Sequence, residues 1–210
     1  RLDLATTREE SYPVPGALPV VHCGAPIERD LARRDFSIHA MARALGTRGP
    51  ERALVDPFGG AGDLGLRRLR LLHERSLADD PTRVLRAARY AARLGFSLDA
   101  GFDAAMQRAL SSGAFANTSG DRLRRALEEA LSEENRHVAL EILLKLEVPV
   151  ALVAGWEGRY LPPRGGLPPA SSPSALWSAL LAPAPEALRA RIARRLAFPR
   201  ALRAAARCGR

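Results

Sequence analysis

The chain has 210 residues, 47% of them hydrophobic, enough for one large domain or two small ones with a real core and too apolar for wholesale disorder. A formal net charge of +9 and a pI near 10.9 favour a polyanionic partner such as nucleic acid, although Lys145 is the lone lysine and an arginine-biased genome would give the same balance. No run of 18 apolar residues or secretory leader is present, and Cys23 and Cys208 are too few for a disulfide framework or zinc site, so a cytoplasmic protein with no membrane partner is the default expectation.

Leu2 and Leu4 flank Asp3, so residues 1–7 read as a strand. Three prolines and Gly16 make 11–19 a loop, after which Val20 and Val21 resume a short strand. Apolar spacing through Leu31, Ile38, Met41 and Leu45 predicts a helix over 28–45, broken near Phe36. Residues 53–55 suit a strand and 56–62 a glycine-rich turn, with Asp63 as cap of the next helix. From there the pattern is helical. Pro81 opens and Gly95 stops a helix over 80–94, and further helices are expected at 100–110, 119–131 (capped by Thr118 or Ser119) and 133–146. Residues 155–173 are rich in Gly, Pro and Ser and read as a linker, followed by short helices at 175–181, 185–196 and 199–206. The fold class is therefore mainly α: a small α/β part over 1–62, a helical region over 63–150, and a linker with a basic helical end over 151–210.

Four clusters carry polar chemistry. Asp3 is a lone strand acid, most simply a solvated edge residue. Arg33, Arg34 and Asp35 form either a surface ion pair or a preorganised anion site, since guanidinium presents a planar fork to phosphate. Asp56, Gly59, Gly60, Gly62 and Asp63 form a turn that lacks the lysine of a phosphate-binding loop and suits a hinge. Asp80, Arg83, Arg86 and Arg89 recur at three-residue spacing on one helix, as an ion-paired solvated face or as a set meeting a base edge and phosphates. The end of the chain adds Arg189, Arg191, Arg194 and Arg195 against the single acid Glu186, an electrostatic footprint for RNA. The four histidines show no metal-ligand spacing, and no hydrolase triad or dinucleotide loop is present.

In order, these clusters resemble the motifs of the class II tRNA nucleotidyltransferase (CCA-adding) and poly(A) polymerase family. Residues 3–8 (DLATTR) are similar to its third-carboxylate strand, 30–42 to its RRDFT-I-N-A-M motif, 56–64 (DPFGGAGDL) to its hinge motif, and 79–96 to its E-D-P-x-R neck helix, with 118–127 following as a helix entry. The resemblance covers about residues 1–130. It implies a nucleotidyltransferase head remnant followed by a helical neck and body, and template-independent transfer of CMP or AMP from CTP or ATP to a tRNA 3′ end. Poly(A) synthesis, or a non-catalytic RNA-binding relic, is the alternative.

The resemblance implies that Asp3 is an auxiliary carboxylate, that Arg34 touches nucleotide phosphates with Asp35 beside it, and that Asp80 and Arg83 read the base while Arg86 and Arg89 complete the contacts. It makes the glycines a hinge between head and neck. The paired aspartates that hold catalytic Mg2+ in the family are expected upstream of Arg1, so no metal ligand is assigned within this chain. His39 stands where the family usually has Asn, Asp79 where it often has Glu, and Ala126 where a glutamate would pair with Arg122.

Overall fold

The computed structural model describes residues 4–45, 53–163, 167 and 172–207. Asp3 and Cys208 lie outside the described residues. Among the described residues the first strand is β1 (Arg8–Ser11), with 4–7 outside it, and it pairs antiparallel with β2 (Val20–Cys23), Arg8 opposite Cys23 and Ser11 opposite Val20. Of the strand expected over 1–7 the described residues begin at Leu4, which is almost fully exposed. The loop between the strands reaches across to the helical region. Gly16 donates from its amide to the Ala78 carbonyl at 2.9 Å, and its own carbonyl accepts from Thr118 Oγ1 at 3.0 Å. Its φ of +76°, and a Cβ position 2.0 Å from the Ala114 carbonyl oxygen, leave room only for glycine.

The helix expected over 28–45 is instead α1 (Ile27–Ala32), an extended residue at Phe36, a 3-10 turn at Ser37–His39 and β3 (Ala42–Arg43), which pairs with β4 (Leu54–Val55). Helix α1 stops at Arg33, where the chain turns so that Phe36 is fully buried and Ser37 donates from its amide to the Arg70 carbonyl at 3.0 Å. Burial of one aromatic outweighs continuation of a helix that carries no strong apolar stripe.

Next come α2 (Gly60–Gly65), β5 (Arg68–Leu69), α3 (Ser76–Asp79), α4 (Thr82–Leu94) and β6 (Ser97–Leu98). Strands β5 and β6 pair in parallel, Arg68 opposite Ser97, inside the stretch expected to be wholly helical. Two residues per strand are too few to show period-2 alternation. Helix α4 begins just after Pro81 and ends at left-handed Gly95. Its buried face is built from Val84, Leu85, Ala87, Ala88, Ala91 and Ala92, mostly alanine. Small side chains let its backbone approach its neighbours closely.

Those neighbours are α7 (Gly120–Leu131) and α8 (Arg136–Lys145), which follow α5 (Gly101–Ser111) and α6 (Ala114–Asn117). Ser119 caps α7 by accepting the Arg122 amide. After α9 (Val148–Leu152) the expected linker is partly core: Trp156, Leu161 and Leu167 are buried and Gly158–Tyr160 forms a 3-10 turn. Its proline and glycine content marks turns, not solvation. Helices α10 (Pro173–Leu181), α11 (Glu186–Arg195) and α12 (Arg203–Arg207) close the chain around Trp156, Trp177 and Phe198. Trp177 donates its indole N–H to Glu128 of α7 at 2.6 Å, which fixes this aromatic core to the central helices.

Candidate functional site

A cleft of about 680 Å³ lies between β1, the segment after α1, the first three turns of α4 and the start of α7. Six arginines (Arg8, Arg33, Arg34, Arg83, Arg86, Arg122) face three carboxylates (Glu10, Asp35, Asp80) across it. That excess of guanidinium suits a polyanion, and the paired carboxylates keep the forks aimed.

Asp30 anchors one wall. Its carboxylate is buried and accepts from the Arg8 amide at 3.0 Å, from Arg33 Nη2 at 2.7 Å and from Arg34 Nη2 at 2.6 Å. Burial alone would raise this carboxyl, but the Arg34 and Arg33 hydrogen bonds outweigh it and bring it down to about 2. Glu10 accepts from Arg33 Nη1 at 3.1 Å and from the Tyr12 hydroxyl at 2.8 Å, so β1 and α1 hold each other's charges. Arg34 is left about half exposed at the rim.

The floor is a chain of alternating charges. Arg86 donates to Asp35 Oδ2 at 2.6 Å and to Asp80 Oδ2 at 3.1 Å. Asp80 also accepts from the Thr82 amide at 3.0 Å, the Thr82 hydroxyl at 2.7 Å and Arg122 Nη2 at 3.0 Å. Burial would push the Asp80 carboxyl up, yet Arg86, Thr82, Arg122 and Arg83 hold it below the ordinary carboxylate value. The Arg122 partner is therefore Asp80, and no glutamate at 126 is needed. Arg83 is 2% exposed: Nη1 donates to Ser76 Oγ at 2.7 Å, Nη2 to the Arg33 carbonyl at 3.0 Å, and Nε lies 3.2 Å from Asp35. In this state Arg83 ties α3, α4 and the post-α1 segment together through its two Nη atoms, while its buried Nε makes no hydrogen bond. Sequence spacing had no signal for that, because its partners lie up to 50 residues away.

Asp35, Asp80, Arg34, Arg83 and Arg86 thus converge, joined by Glu10, Tyr12, Asp30 and Arg122, which spacing did not single out. Arg89 is not in the cleft. It ion-pairs with Glu129 and, at 2.9 Å, with Glu133, because three-residue steps on a helix drift by about 60° per step and carry it to the side facing α7. In the glycine-rich motif Gly59 is the N-cap residue of α2, and Asp56, three residues earlier, satisfies the first amides of the helix by accepting from Gly60 and Ala61 at 2.6 and 2.9 Å. Asp63, expected to cap, sits within α2 and is clamped by Ser37 at 2.6 Å, Arg68 at 2.5 Å and Arg70 at 2.8 Å. Only Gly59 is left-handed, at φ 68°. Gly60 instead lets α2 press against the Ser37 carbonyl, while a Cβ at Gly62 would meet nothing within 4 Å.

The four tail arginines divide. Arg191 and Arg194 are exposed, Arg191 donating to the Ala154 carbonyl at 2.6 Å. Arg189 is buried, and Arg195 turns inward to the Phe115 and Thr118 carbonyls. Of the four, Arg191 and Arg194 therefore present their guanidiniums at the surface, while Arg189 is buried and Arg195 is tied to backbone carbonyls.

The carboxylates described in the cleft are engaged by guanidinium, and Asp3 lies outside the described residues. Among the described residues no group of three or more His, Cys, Asp or Glu is arranged to hold a metal. No helix of the described residues is long and apolar enough to cross a membrane.

Residues 1–70 match the family model for the poly A polymerase head domain. The A-adding tRNA nucleotidyltransferase of Aquifex aeolicus is 37% identical over 157 residues, 75% of this chain, and the chain spans 19% of that protein. Among solved structures, an apo form of a CCA-adding enzyme superposes with a TM-score of 0.78 at 28% identity, covering 97% of this chain and 50% of that one. The Thermotoga maritima CCA-adding enzyme complexed with tRNA superposes with a TM-score of 0.69 at 28% identity, covering 90% of this chain and 50% of that one. With the motifs in order and the helical body superposing along nearly its whole length, this chain belongs to the class II tRNA nucleotidyltransferase and poly(A) polymerase family.

Proposed function

We propose that this chain supplies the nucleotide-selecting part of a tRNA nucleotidyltransferase, the reaction being transfer of CMP or AMP from CTP or ATP to a tRNA 3′ end. The observation that carries the reading is the floor of the cleft, Asp35–Arg86–Asp80–Arg122, drawn from three separated stretches of chain and roofed by the Gly16 loop. A paired ionic chain anchored on the buried Asp80 is costly to assemble, and a module that only gripped RNA backbone has no need of one.

In this reading residues 1–62 are head, 63–150 neck and body, and 151–210 a basic C-terminal region. Arg34 at the rim meets phosphate oxygens. Asp80 and Arg83 meet a base only when nucleotide exchanges for some of their present partners, so selection is a competition between the base edge and Thr82, Arg122 and Ser76. The left-handed turn at Gly59 is the candidate pivot between head and neck, and Arg191 and Arg194 face tRNA. The family resemblance brings Mg2+ to the reaction. No metal-dependent step is assigned to the described residues, whose part is positioning and electrostatics. A cytoplasmic site of action goes with tRNA as substrate.

Photolabelling with 8-azido-ATP tests the reading. Adducts are expected on peptides from 30–43 and 80–95, with CTP and ATP competing. Adducts confined to other peptides contradict it.

A further inference from the structure

The two oxygens of the Asp80 carboxylate are held unequally. Oδ1 accepts from the Thr82 amide, the Thr82 hydroxyl and Arg122, whereas among the described residues Oδ2 accepts only from Arg86 Nη2, at 3.1 Å. The same guanidinium takes both oxygens of Asp35, Nε donating to Oδ2 at 2.6 Å and Nη2 to Oδ1 at 2.9 Å. Its Nη1 donates to the Thr82 hydroxyl, which keeps a bond of its own to Asp80 Oδ1. One arginine thus covers the second oxygen of Asp80 and occupies Asp35. Beside it, Arg83 Nε is a buried donor with no hydrogen bond, although Asp35 Oδ1 lies 3.2 Å away. Such a donor is unfavourable, and Asp35 is an acceptor that relieves it once Arg86 lets go. The Arg86 side chain is 28% exposed against 2% for Arg83, so of the two it is Arg86 whose head has room to swing toward a ligand.

We infer that Arg86 is a phosphate-released lock on base reading: ligand phosphates draw its guanidinium off Asp80 Oδ2 and Asp35, and only then is Oδ2 free to accept from a base. The inference rests on the proposed function and makes Arg86 a positioning residue for Asp80. Phosphate offers a guanidinium the same paired oxygens as carboxylate does, so the exchange replaces one charge-assisted pair by another. Asp35, as it is released, is caught by the idle Nε of Arg83, which leaves exchange with a base to the Arg83 Nη atoms. Cytosine and adenine carry an exocyclic amino group from which a carboxylate oxygen accepts, where uracil carries a carbonyl oxygen. A covered Oδ2 reads neither. Uncovered, it favours the amino group and repels the carbonyl, so discrimination belongs to ligands that carry phosphate.

The test compares base preference with and without phosphates, by nuclear magnetic resonance titration of the full chain at one salt concentration. Wild type is expected to favour CTP over UTP about ten-fold, and cytidine over uridine by no more than about two-fold. Arg86→Met removes the lock and is expected to favour cytidine over uridine about five-fold or more. A side chain that served structure alone would, when removed, weaken both nucleosides alike. Arg86→Lys, whose single ammonium cannot span Asp35 and Asp80, is expected to fall between. It takes the place of the methionine variant if far-UV circular dichroism shows that one unfolded. A wild-type preference for cytidine as large as that for CTP, or a folded Arg86 variant with no gain in nucleoside preference, overturns the lock while leaving the base reader standing. Wild type indifferent between CTP and UTP overturns the proposed function, and the lock with it.

Discussion

Arg122 Nη2 lies 3.0 Å from Asp80 Oδ1, across 42 residues of sequence, and so plants the first turn of α7 in the floor of the cleft. The same guanidinium reaches the Gly16 carbonyl at 3.4 Å, joining the loop of the β1–β2 hairpin to the acid that α4 presents. Arg122→Ala leaves Asp80 one donor short in a buried site. A loss of about 1–3 kcal/mol is expected in urea denaturation. Arg122→Lys should recover only part of it, since one ammonium cannot hold both acceptors in the same plane. Unchanged stability in the alanine variant would show the bridge to be superficial.

Asp30 gives the fold an acid limit. Its carboxyl stands at about 2 in the folded chain against an ordinary 3.8, so it contributes stability above pH 3.8 that is lost as pH falls toward 2. The contribution is on the order of 2 kcal/mol. Comparing wild type with Asp30→Asn from pH 6 to pH 2, the stability gap should be widest at pH 6 and close at the acid end. A gap independent of pH contradicts the ionic anchoring of Arg33 and Arg34.

Two glycines of one motif are expected to behave oppositely. Gly60→Ala drives a Cβ to 2.2 Å from the Ser37 carbonyl oxygen and should cost about 1–3 kcal/mol by separating α2 from the Phe36 segment. Gly62→Ala meets nothing within 4 Å and, inside α2, should stabilise by up to about 1 kcal/mol. Thermal melts of both variants check the pair, and equal effects would mean that the close approach to Ser37 is not what requires Gly60.

The division of α11 predicts a division of phenotype. Replacing Arg191 and Arg194 together by alanine should lower the slope of log affinity for tRNA against log salt by about 0.7–0.9 for each phosphate no longer neutralised, with little change in melting. Arg195→Ala should instead destabilise the chain, because the Phe115 and Thr118 carbonyls lose their donor. A salt slope that ignores the double variant assigns these arginines to a merely solvated face.

What sequence made legible was local. Pro81 and Gly95 framed α4 to within a residue or two, the cap of α7 is Ser119, one of the two residues the sequence offered, and Arg34, Asp35, Asp80 and Arg86 do share one cleft. What it concealed depends on distant partners. The segment after α1 carries helix-like spacing, but Phe36 is claimed by the core and Ser37 by the Arg70 carbonyl, 33 residues on. Arg83 has the spacing of a recognition residue, yet its two Nη atoms are already held by Ser76 and the Arg33 carbonyl. Glu10 and Asp30, with no motif spacing of their own, became visible as anchors only once β1 lay beside α1.

The central claim is that Asp80, released from part of its present network, chooses the base. Binding of CTP, ATP, UTP and GTP to wild type and to Asp80→Asn, measured side by side at one salt concentration, tests it directly. Wild type should favour CTP and ATP over UTP and GTP, and Asp80→Asn should shrink that preference about ten-fold, as loss of one charged hydrogen bond in a desolvated site implies. A wild-type chain indifferent among the four, or an Asp80→Asn variant that keeps the full preference, would contradict the account.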